Sequence, residues 1–410
     1  NFYTIERQEN IMEMDDQDYK FDFVYLASHG FSVRMVIQTN LLGKLTEKGY
    51  RVALISLDDE DFTLKEYCLS NNVRLISFNP KSSFWSTEYF LLRRYLLEDI
   101  RKNPALWEKH LRVIEGKEVS QLRKFKIRCY YFLFLFSKFL PFIKRLVLRF
   151  ENSKLRFTDA ERLIKELSPK LVVSTYPINI MESSLLNSAK KNKRIRTVIQ
   201  LLSWDNITCK GRFPVLAHSY ISWGPIMTEE LQEYLLVNKK DIYTTGVPHF
   251  DVHRLIAENR DSHQHIVRLG LDPVKPYIFF AMSSPYFAPR EIEIIEKIAY
   301  WVNEGSFGDI QFIIRPHPQN VQGNMADRTW LPRLKNLNNS SVAVDFPQVN
   351  DSKIPWSMQL NDMYKLGNLI GGASVVLNTC STISIDSLFY NVPIIVTAFD
   401  NDEKLPWWQS

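Results

Sequence analysis

Gln311-Phe312-Ile313-Ile314-Arg315-Pro316-His317-Pro318 is the stretch from which the fold can be read. Three consecutive large apolar residues end at a cation and two prolines. A strand buried on both faces ends this way, because proline cannot donate to a ladder and turns the chain out of the sheet. The same pattern recurs nearby, at 277–282 (YIFFAM), 341–345, 375–378 and 394–398. Helix-period segments at 290–303 and 381–389 fall between these runs. Short apolar runs alternating with helices build parallel sheets, since parallel neighbours need a crossover connection.

The first half repeats the pattern. Strands are expected at 21–27, 51–57, 73–78, 171–174, 197–202, 218–223 and 241–245, with helices from Val33 up to Gly49 and over 181–191 and 226–236. Gly246-Val247-Pro248 and a helical stretch over 253–269 mark the passage between two sheets. The expectation is an α/β chain of two Rossmann-like domains facing a cleft. Residues 1–245 form the N-terminal, acceptor-side domain, with a helical insertion at about 80–157, and 246–410 the C-terminal, donor-binding domain.

Length and composition agree with two or three domains. The 410 residues are 45% apolar and 24% charged, too long for one core and too apolar for general disorder. Cys68, Cys129, Cys209 and Cys380 show no paired or zinc-type spacing, which fits a reducing compartment. No signal peptide is visible, and a chain opening on Asn1 is expected to begin inside a longer protein. Closing helices are expected beyond Ser410.

The net charge of +5 is unevenly placed. Residues 111–156 hold twelve Lys and Arg against three acids, interleaved with the run 129–136 and with Phe139, Phe142, Leu146 and Phe150. A spanning helix needs roughly 20 apolar residues, and Lys138, Pro141, Lys144 and Arg145 interrupt this one. The segment is expected to lie on an anionic leaflet, where each basic residue contributes about 1 kcal/mol. The plainer reading packs the aromatics on their own domain. No nucleic-acid motif accompanies the charge, so nucleic acid is not expected as a partner.

Ligands of open parallel sheets sit beyond the carboxyl ends of strands, so the chemistry belongs on the loops there. Arg315 and His317 offer a planar cation and an imidazole stiffened by prolines, suited to phosphate. In Asn378-Thr379-Cys380-Ser381-Thr382, a hydroxyl-rich turn opens a helix, where free N–H groups attract anions, and Asp386 one turn on can accept from a ribose diol. Ser283 and Ser284 sit at a third strand exit.

These motifs resemble the nucleotide-binding half of GT-B glycosyltransferases. More narrowly, RPHP and NTCSTISIDSLFYNVP are similar to the His-Pro and Ser/Thr elements of bacterial surface-polysaccharide enzymes, among them sialyl- and Kdo-transferases and CDP-glycerol glycerophosphotransferases. The resemblance implies that Arg315, His317, Ser381 and Thr382 hold donor phosphates and that Asp386 holds the ribose. A Glu-x7-Glu pair of retaining relatives falls here on Asn378 and Asp386, so its first carboxylate is absent. Ser203-Trp204-Asp205-Asn206 and Gly246-Val247-Pro248-His249-Phe250-Asp251 resemble segments at and before the domain crossing of the same group.

The implied activity is transfer of a sugar from a nucleotide-activated donor to a cell-surface glycan or lipid-linked acceptor. The expected place of work is the cytoplasmic, inner face of the cell membrane, with peripheral attachment through 111–156. An alcohol nucleophile needs a base. His29 is the first choice, with Asp205 second and Glu182 third. No metal or other cofactor is required, because cations and helix N-termini can neutralise a leaving phosphate. Asp58-Asp59-Glu60-Asp61 reads as a solvated helix start, and His249, His253, His263 and His265 as surface residues. The competing readings are a CDP-alcohol (polyol phosphate) transferase, an isomerase resembling UDP-N-acetylglucosamine 2-epimerase, and a binding module that has lost catalysis.

Overall fold

The computed structural model describes residues 19–397 apart from 117–118, 286–287, 322–327 and 380. The acidic opening stretch, Cys380, the strand end at Ala398 and the terminal Trp407-Trp408-Gln409-Ser410 lie outside the described residues.

Seven strands form the first sheet: β1 (Phe21–Ala27), β2 (Val52–Ser56), β3 (Arg74–Ser77), β4 (Pro169–Ser174), β5 (Arg196–Gln200), β6 (Ser219–Ser222) and β7 (Ile242–Thr244). Their order is β3-β2-β1-β4-β5-β6-β7, and every pairing is parallel. The second sheet contains β8 (Tyr277–Ala281), β9 (Gln311–Arg315), β10 (Val342–Val344), β11 (Val375–Asn378) and β12 (Ile394–Val396), in the order β10-β9-β8-β11-β12, again parallel. The direction of winding reverses between β1 and β4 in one sheet and between β8 and β11 in the other. Those reversals leave a crevice at each carboxyl edge.

Both faces of each sheet are covered. Val24, Leu26 and Ala53 pack with Leu185 and Leu186 on one side of the first sheet, while Tyr25, Ala27 and Leu54 pack with Val33, Val36 and Leu64 on the other. Burial on both faces is why the strands read as continuous apolar runs. The helix expected from Val33 to Gly49 is two helices, Gly30–Gln38 and Leu41–Glu47, because Asn40 adopts a left-handed conformation with φ 47°. The stretch 253–269 is likewise two helices, Asp251–Glu258 and His263–Arg268. Val252, Ile256 and Ile266 from this pair pack into the core of the second sheet.

One strap ties the two halves. After β10 the chain runs back to the first sheet, where Ile354 is buried in the first sheet's core. Lys353 N–H donates to Asp58 Oδ2 at 2.9 Å, Asn350 donates to Thr63 at 3.0 Å, and Gly30 N–H donates to Pro355 O at 2.9 Å. Asp58 and Asp61 are therefore buried, which corrects the solvated reading of that acidic run. Asp58 receives the strap, and Asp61 caps the helix Phe62–Ser70 through Leu64 N–H at 3.0 Å.

The insertion is helical. Its helices start on side-chain caps: Ser86 for Thr87–Leu97, Asn103 with Pro104 for Pro104–Glu115, and Ser120 for Gln121–Phe139. Tyr95, Ile100, Leu106, Ile127 and Phe134 make a small core of their own. Buried Arg93 anchors it, pairing with Glu151 at 2.5 Å and donating to Arg212 O. The outer face stays apolar. Leu122, Phe125, Phe132, Phe136 and Phe139, spaced to fall on one stripe, are exposed, and Phe142, Leu146 and Phe150 continue the stripe on Pro141–Lys154. No helix among the described residues is long and apolar enough to cross a membrane.

Candidate functional site

On the second sheet, three strand ends lie side by side. Ala281 pairs in register with Arg315 and with Asn378, so the exits of β8, β9 and β11 share one edge. Met282 N–H donates to Arg315 O at 2.9 Å, and Ser283 Oγ donates to Thr379 O at 2.8 Å, which stitches the loops together. His317 and Ser381 thus flank the Ser283 turn from the two neighbouring strands.

His317 leaves this edge as a neutral group. Burial, with Arg315 adding, holds its pKa down to about 4. Its Nδ1 accepts from Gln319 N–H at 3.1 Å, which puts the ring proton on Nε2 and makes that nitrogen a donor. Ser381 N–H is taken by Asn378 Oδ1 at 2.9 Å, and Ser381 Oγ accepts weakly from Ile383 N–H at 3.4 Å. Thr382 is exposed at the start of the helix Ile383–Leu388.

Arg315 corrects an expectation. Its guanidinium points inward, to Asp362 at 2.5 and 3.1 Å and to Asp345 Oδ2 at 2.6 Å, while Lys365 reaches both acids at 2.6 and 3.2 Å. Two cations and two carboxylates close a buried neutral cluster, leaving this guanidinium no free fork for phosphate. The helix carrying Asp362 and Lys365, Leu360–Gly372, was not foreseen.

A further cation comes from the other half. Arg34, on the helix Gly30–Gln38, makes no ion pair among the described residues. Its Nε donates to Gln38 at 3.2 Å. Burial lowers its pKa, with the charges of Asp386 and Asp362 opposing, and its helix packs against the turn Pro248–Phe250 and the helix Leu360–Gly372 of the second half.

Asp386 is buried, and its Oδ1 lies 3.1 Å from His253 Nε2. His253 Nδ1 in turn meets the Tyr390 hydroxyl at 2.8 Å. The Nε2 contact is close but badly aligned for a hydrogen bond. His253 is therefore no surface residue. Nor is His249, which packs against Trp223 and Phe250 and is held to about pKa 4 by burial. Sequence reasoning missed both, and their position just after Gly246-Val247-Pro248 was the available signal.

A further missed group is Glu291, almost wholly buried behind the Ser283 turn. Its Oε2 accepts from Ser283 N–H at 2.8 Å, while Oε1 has no partner. Burial pushes its pKa up to about 7, against the lowering effect of the Ser283 N–H bond and of nearby Thr379. The buried Ser284 Oγ is also unpartnered.

Across the cleft stands His29, the N-cap of Gly30–Gln38. Its Nδ1 accepts from Phe31 N–H at 3.2 Å, and burial, with Lys210 adding, holds its pKa down to about 4. Phe31, Tyr176 and the strap's Trp356 surround it, with ring centroids 5.6, 5.2 and 5.2 Å away. A neutral ring already accepting at Nδ1 presents an Nε2 donor, so the geometry suits hydrogen-bond donation better than proton removal. Glu182 is fully buried and saturated: Ser28 N–H and Oγ, Ser174 Oγ, Thr175 N–H and Tyr176 N–H all donate to it within 2.6–3.0 Å. It staples the β1 and β4 exits together and has no oxygen left for acceptor. Asp205 is different. It is partly exposed, 4.0 Å from Lys210, and accepts no helix-capping bond. Among the described residues no metal-holding group of His, Cys, Asp and Glu occurs.

No family model and no curated protein matches this chain. Solved structures do. The S. aureus MnaA-UDP co-structure aligns over 92% of this chain and 79% of its own, with TM-score 0.51 at 10% identity. The Neisseria meningitidis UDP-GlcNAc 2-epimerase bound to UDP-GlcNAc aligns over 91% and 82%, with TM-score 0.51 at 9% identity. The Methanocaldococcus jannaschii UDP-GlcNAc 2-epimerase aligns over 91% and 82%, with TM-score 0.50 at 11% identity. At such identities the likeness is one of fold, and the fold is GT-B: two Rossmann-like halves, as the strand alternation required.

Proposed function

We propose that this protein is a nucleotide-sugar-dependent glycosyltransferase that moves a sugar onto a cell-surface glycan or lipid-linked acceptor at the inner face of the cell membrane. The observation that carries the reading is the pairing of two edges across one cleft. On one side stand three stitched strand exits bearing Ser283, His317 and Ser381, and on the other Arg34, with no ion pair among the described residues, on a helix that packs against Leu360–Gly372. We take residue 245 as the last of the acceptor-side domain.

In this reading the donor phosphates lie between Arg34, the His317 Nε2 donor and the hydroxyls of Ser381 and Thr382. Asp386 accepts from the ribose, and Ser283 and Ser284 line the turn beneath. Arg315 acts from behind, by holding the β9 exit in place. Asp205 is the base. As the acceptor oxygen bonds to the anomeric carbon, its proton passes to Asp205, and the carbon–oxygen bond to the donor phosphate breaks. The nucleotide then leaves with the electron pair, its charge met by Arg34 and fixed donors, so the scheme needs no metal. His29 donates to the acceptor from its aromatic surround.

The insertion supplies the location. An outer stripe of exposed Phe and Leu beside a basic surplus fits the headgroup region of an anionic leaflet. An epimerase-like activity draws support from the fold of the UDP-GlcNAc-bound neighbour, and a polyol phosphate transferase would use the same loops.

The test is a thermal-shift panel of UDP, GDP, CDP and CMP, followed by product analysis with the nucleotide that binds. Free nucleotide with a lengthened glycan is the expected result. CMP with a phosphodiester would mean the alcohol transferase, an epimerised nucleotide sugar would mean the isomerase, and binding without turnover would mean neither. His317→Ala is expected to weaken nucleotide binding and abolish transfer, and unaltered affinity would remove the assignment.

A further inference from the structure

The acceptor side carries more positive charge than its own residues neutralise. At the carboxyl edge where β5 ends, the helix Asn206–Lys210 packs against the insertion helix Pro104–Glu115, with Arg94 of Thr87–Leu97 alongside. Lys109 Nζ donates to Cys209 O at 2.7 Å, and Lys210 Nζ stands 4.0 Å from Asp205. Arg94 runs beside Gly211, where a Cβ would meet Arg94 Cγ at 3.5 Å.

Neither Arg94 nor Lys109 makes an ion pair among the described residues, and Arg94 Nε is buried without any partner. The amide nitrogen of buried Asn206, next to Asp205, is unpartnered too. Glu98, the other nearby acid, is occupied by Arg212 N–H at 2.5 Å. Burial lowers the pKa of Lys109 and of Arg94, and Arg94 and Lys210 add to the effect on Lys109. Three cations stand against the carboxylates of Asp205 and Glu98, and both unsatisfied atoms are donors. Leaving partly desolvated cations unpaired is unfavourable unless an anion visits them.

We propose that Arg94, Lys109 and Lys210 form an anion subsite for a phosphate group carried by the acceptor. Phosphate offers several acceptor oxygens to a guanidinium fork and two ammonium groups, and it would stand beside Asp205, the base of the transfer. The anion site stands on these contacts alone, whereas its assignment to the acceptor rests on the transferase reading.

Binding of sn-glycerol 3-phosphate to the full chain tests it, measured by calorimetry with and without the nucleotide that binds best in the panel above. With the nucleotide site filled, the wild type is expected still to bind the probe. Arg94→Gln and Lys109→Gln should each weaken that binding about tenfold, leave nucleotide affinity unchanged, and not lower the melting temperature. A wild type that binds no glycerol phosphate overturns the subsite, as do variants that bind it equally well or that lose thermal stability without losing affinity. Vesicles of phosphatidylcholine with phosphatidic acid give the second arm. Equal losses on both probes assign a lipid-borne phosphate, and loss on glycerol phosphate with vesicle binding kept assigns a free phosphate group. Failure of all four nucleotides with retained glycerol phosphate binding would sink the transferase reading and leave the subsite standing.

Discussion

The Nε2 atom of His253 lies 3.1 Å from Oδ1 of Asp386, and these two residues join the domain-crossing helix to the helix after β11. The other ring nitrogen of His253 meets the Tyr390 hydroxyl, so the imidazole fixes the carboxylate from behind. His253→Phe keeps the volume and removes both contacts. It is expected to weaken nucleotide binding about tenfold and to cost about 1–3 kcal/mol of stability by stranding buried groups. Calorimetry and denaturant titration check this. Unchanged affinity would mean that Asp386 does not hold the ribose.

Arg315 and His317 are two residues apart and predict opposite phenotypes. Arg315→Met strands Asp345 and Asp362, and breaking a buried pair by removing one partner costs about 3–5 kcal/mol. His317→Ala should leave the denaturation midpoint nearly unchanged and weaken nucleotide binding. If instead Arg315→Met folds normally and loses only the nucleotide, then the guanidinium serves the ligand directly.

Glu291 predicts a pH dependence with a definite sign. Its folded pKa, about 7, is raised above the ordinary carboxyl value, so the folded state holds its proton more tightly than the unfolded chain does. The stability it contributes is complete below the unfolded pKa and is lost as pH rises through about 7. Glu291→Gln should therefore match the wild type in acid and exceed it in melting temperature above neutrality. His29, His249 and His317, lowered to about 4, act in the opposite sense between about 4 and the ordinary histidine value, and they are common to both proteins. A constant difference between the two melting curves across pH would refute the assignment.

Much of the fold was legible because its strands are buried on both faces, and such strands announce themselves as apolar runs. Leu360–Gly372 did not, since Gly367, Gly371 and Gly372 weaken its helical pattern. A Cβ at Gly367 would meet Ile256 and Tyr390, and one at Gly372 would meet Tyr277, so the glycines record close packing that only the tertiary structure reveals. The same limit applies to the site. The loops that bear Ser283, His317 and Ser381 were found from strand ends, while the direction of Arg315 depends on Asp345 and Asp362, and that of His253 on Asp386. Partners so distant along the chain leave no local pattern.

Within the outer stripe of the insertion, Phe132, Phe136 and Phe139 lie outside the core clusters, which separates binding from folding. Phe132→Ser, Phe136→Ser and Phe139→Ser combined should leave the melting temperature almost unchanged, since all three are exposed. Sedimentation with anionic vesicles should fall steeply for the triple variant. If the vesicles retain it fully, or if it unfolds, the stripe is packing surface and the membrane reading fails.

Gly30 tests whether the strap sets the cleft. Its N–H donates to Pro355 O at 2.9 Å, and a Cβ there would overlap the carbonyl of Trp356, a backbone atom that cannot rotate aside. Gly30→Ala must therefore push the strap off the first sheet or distort the His29 cap, at a cost of about 1–3 kcal/mol. Because Trp356 meets the His29 ring, the displacement should alter tryptophan fluorescence and loosen nucleotide binding together, although no nucleotide contact is removed. If stability falls and nucleotide affinity holds, the strap is a fastening without influence on the cleft, and the opposing edges must be set by the crossing helices alone.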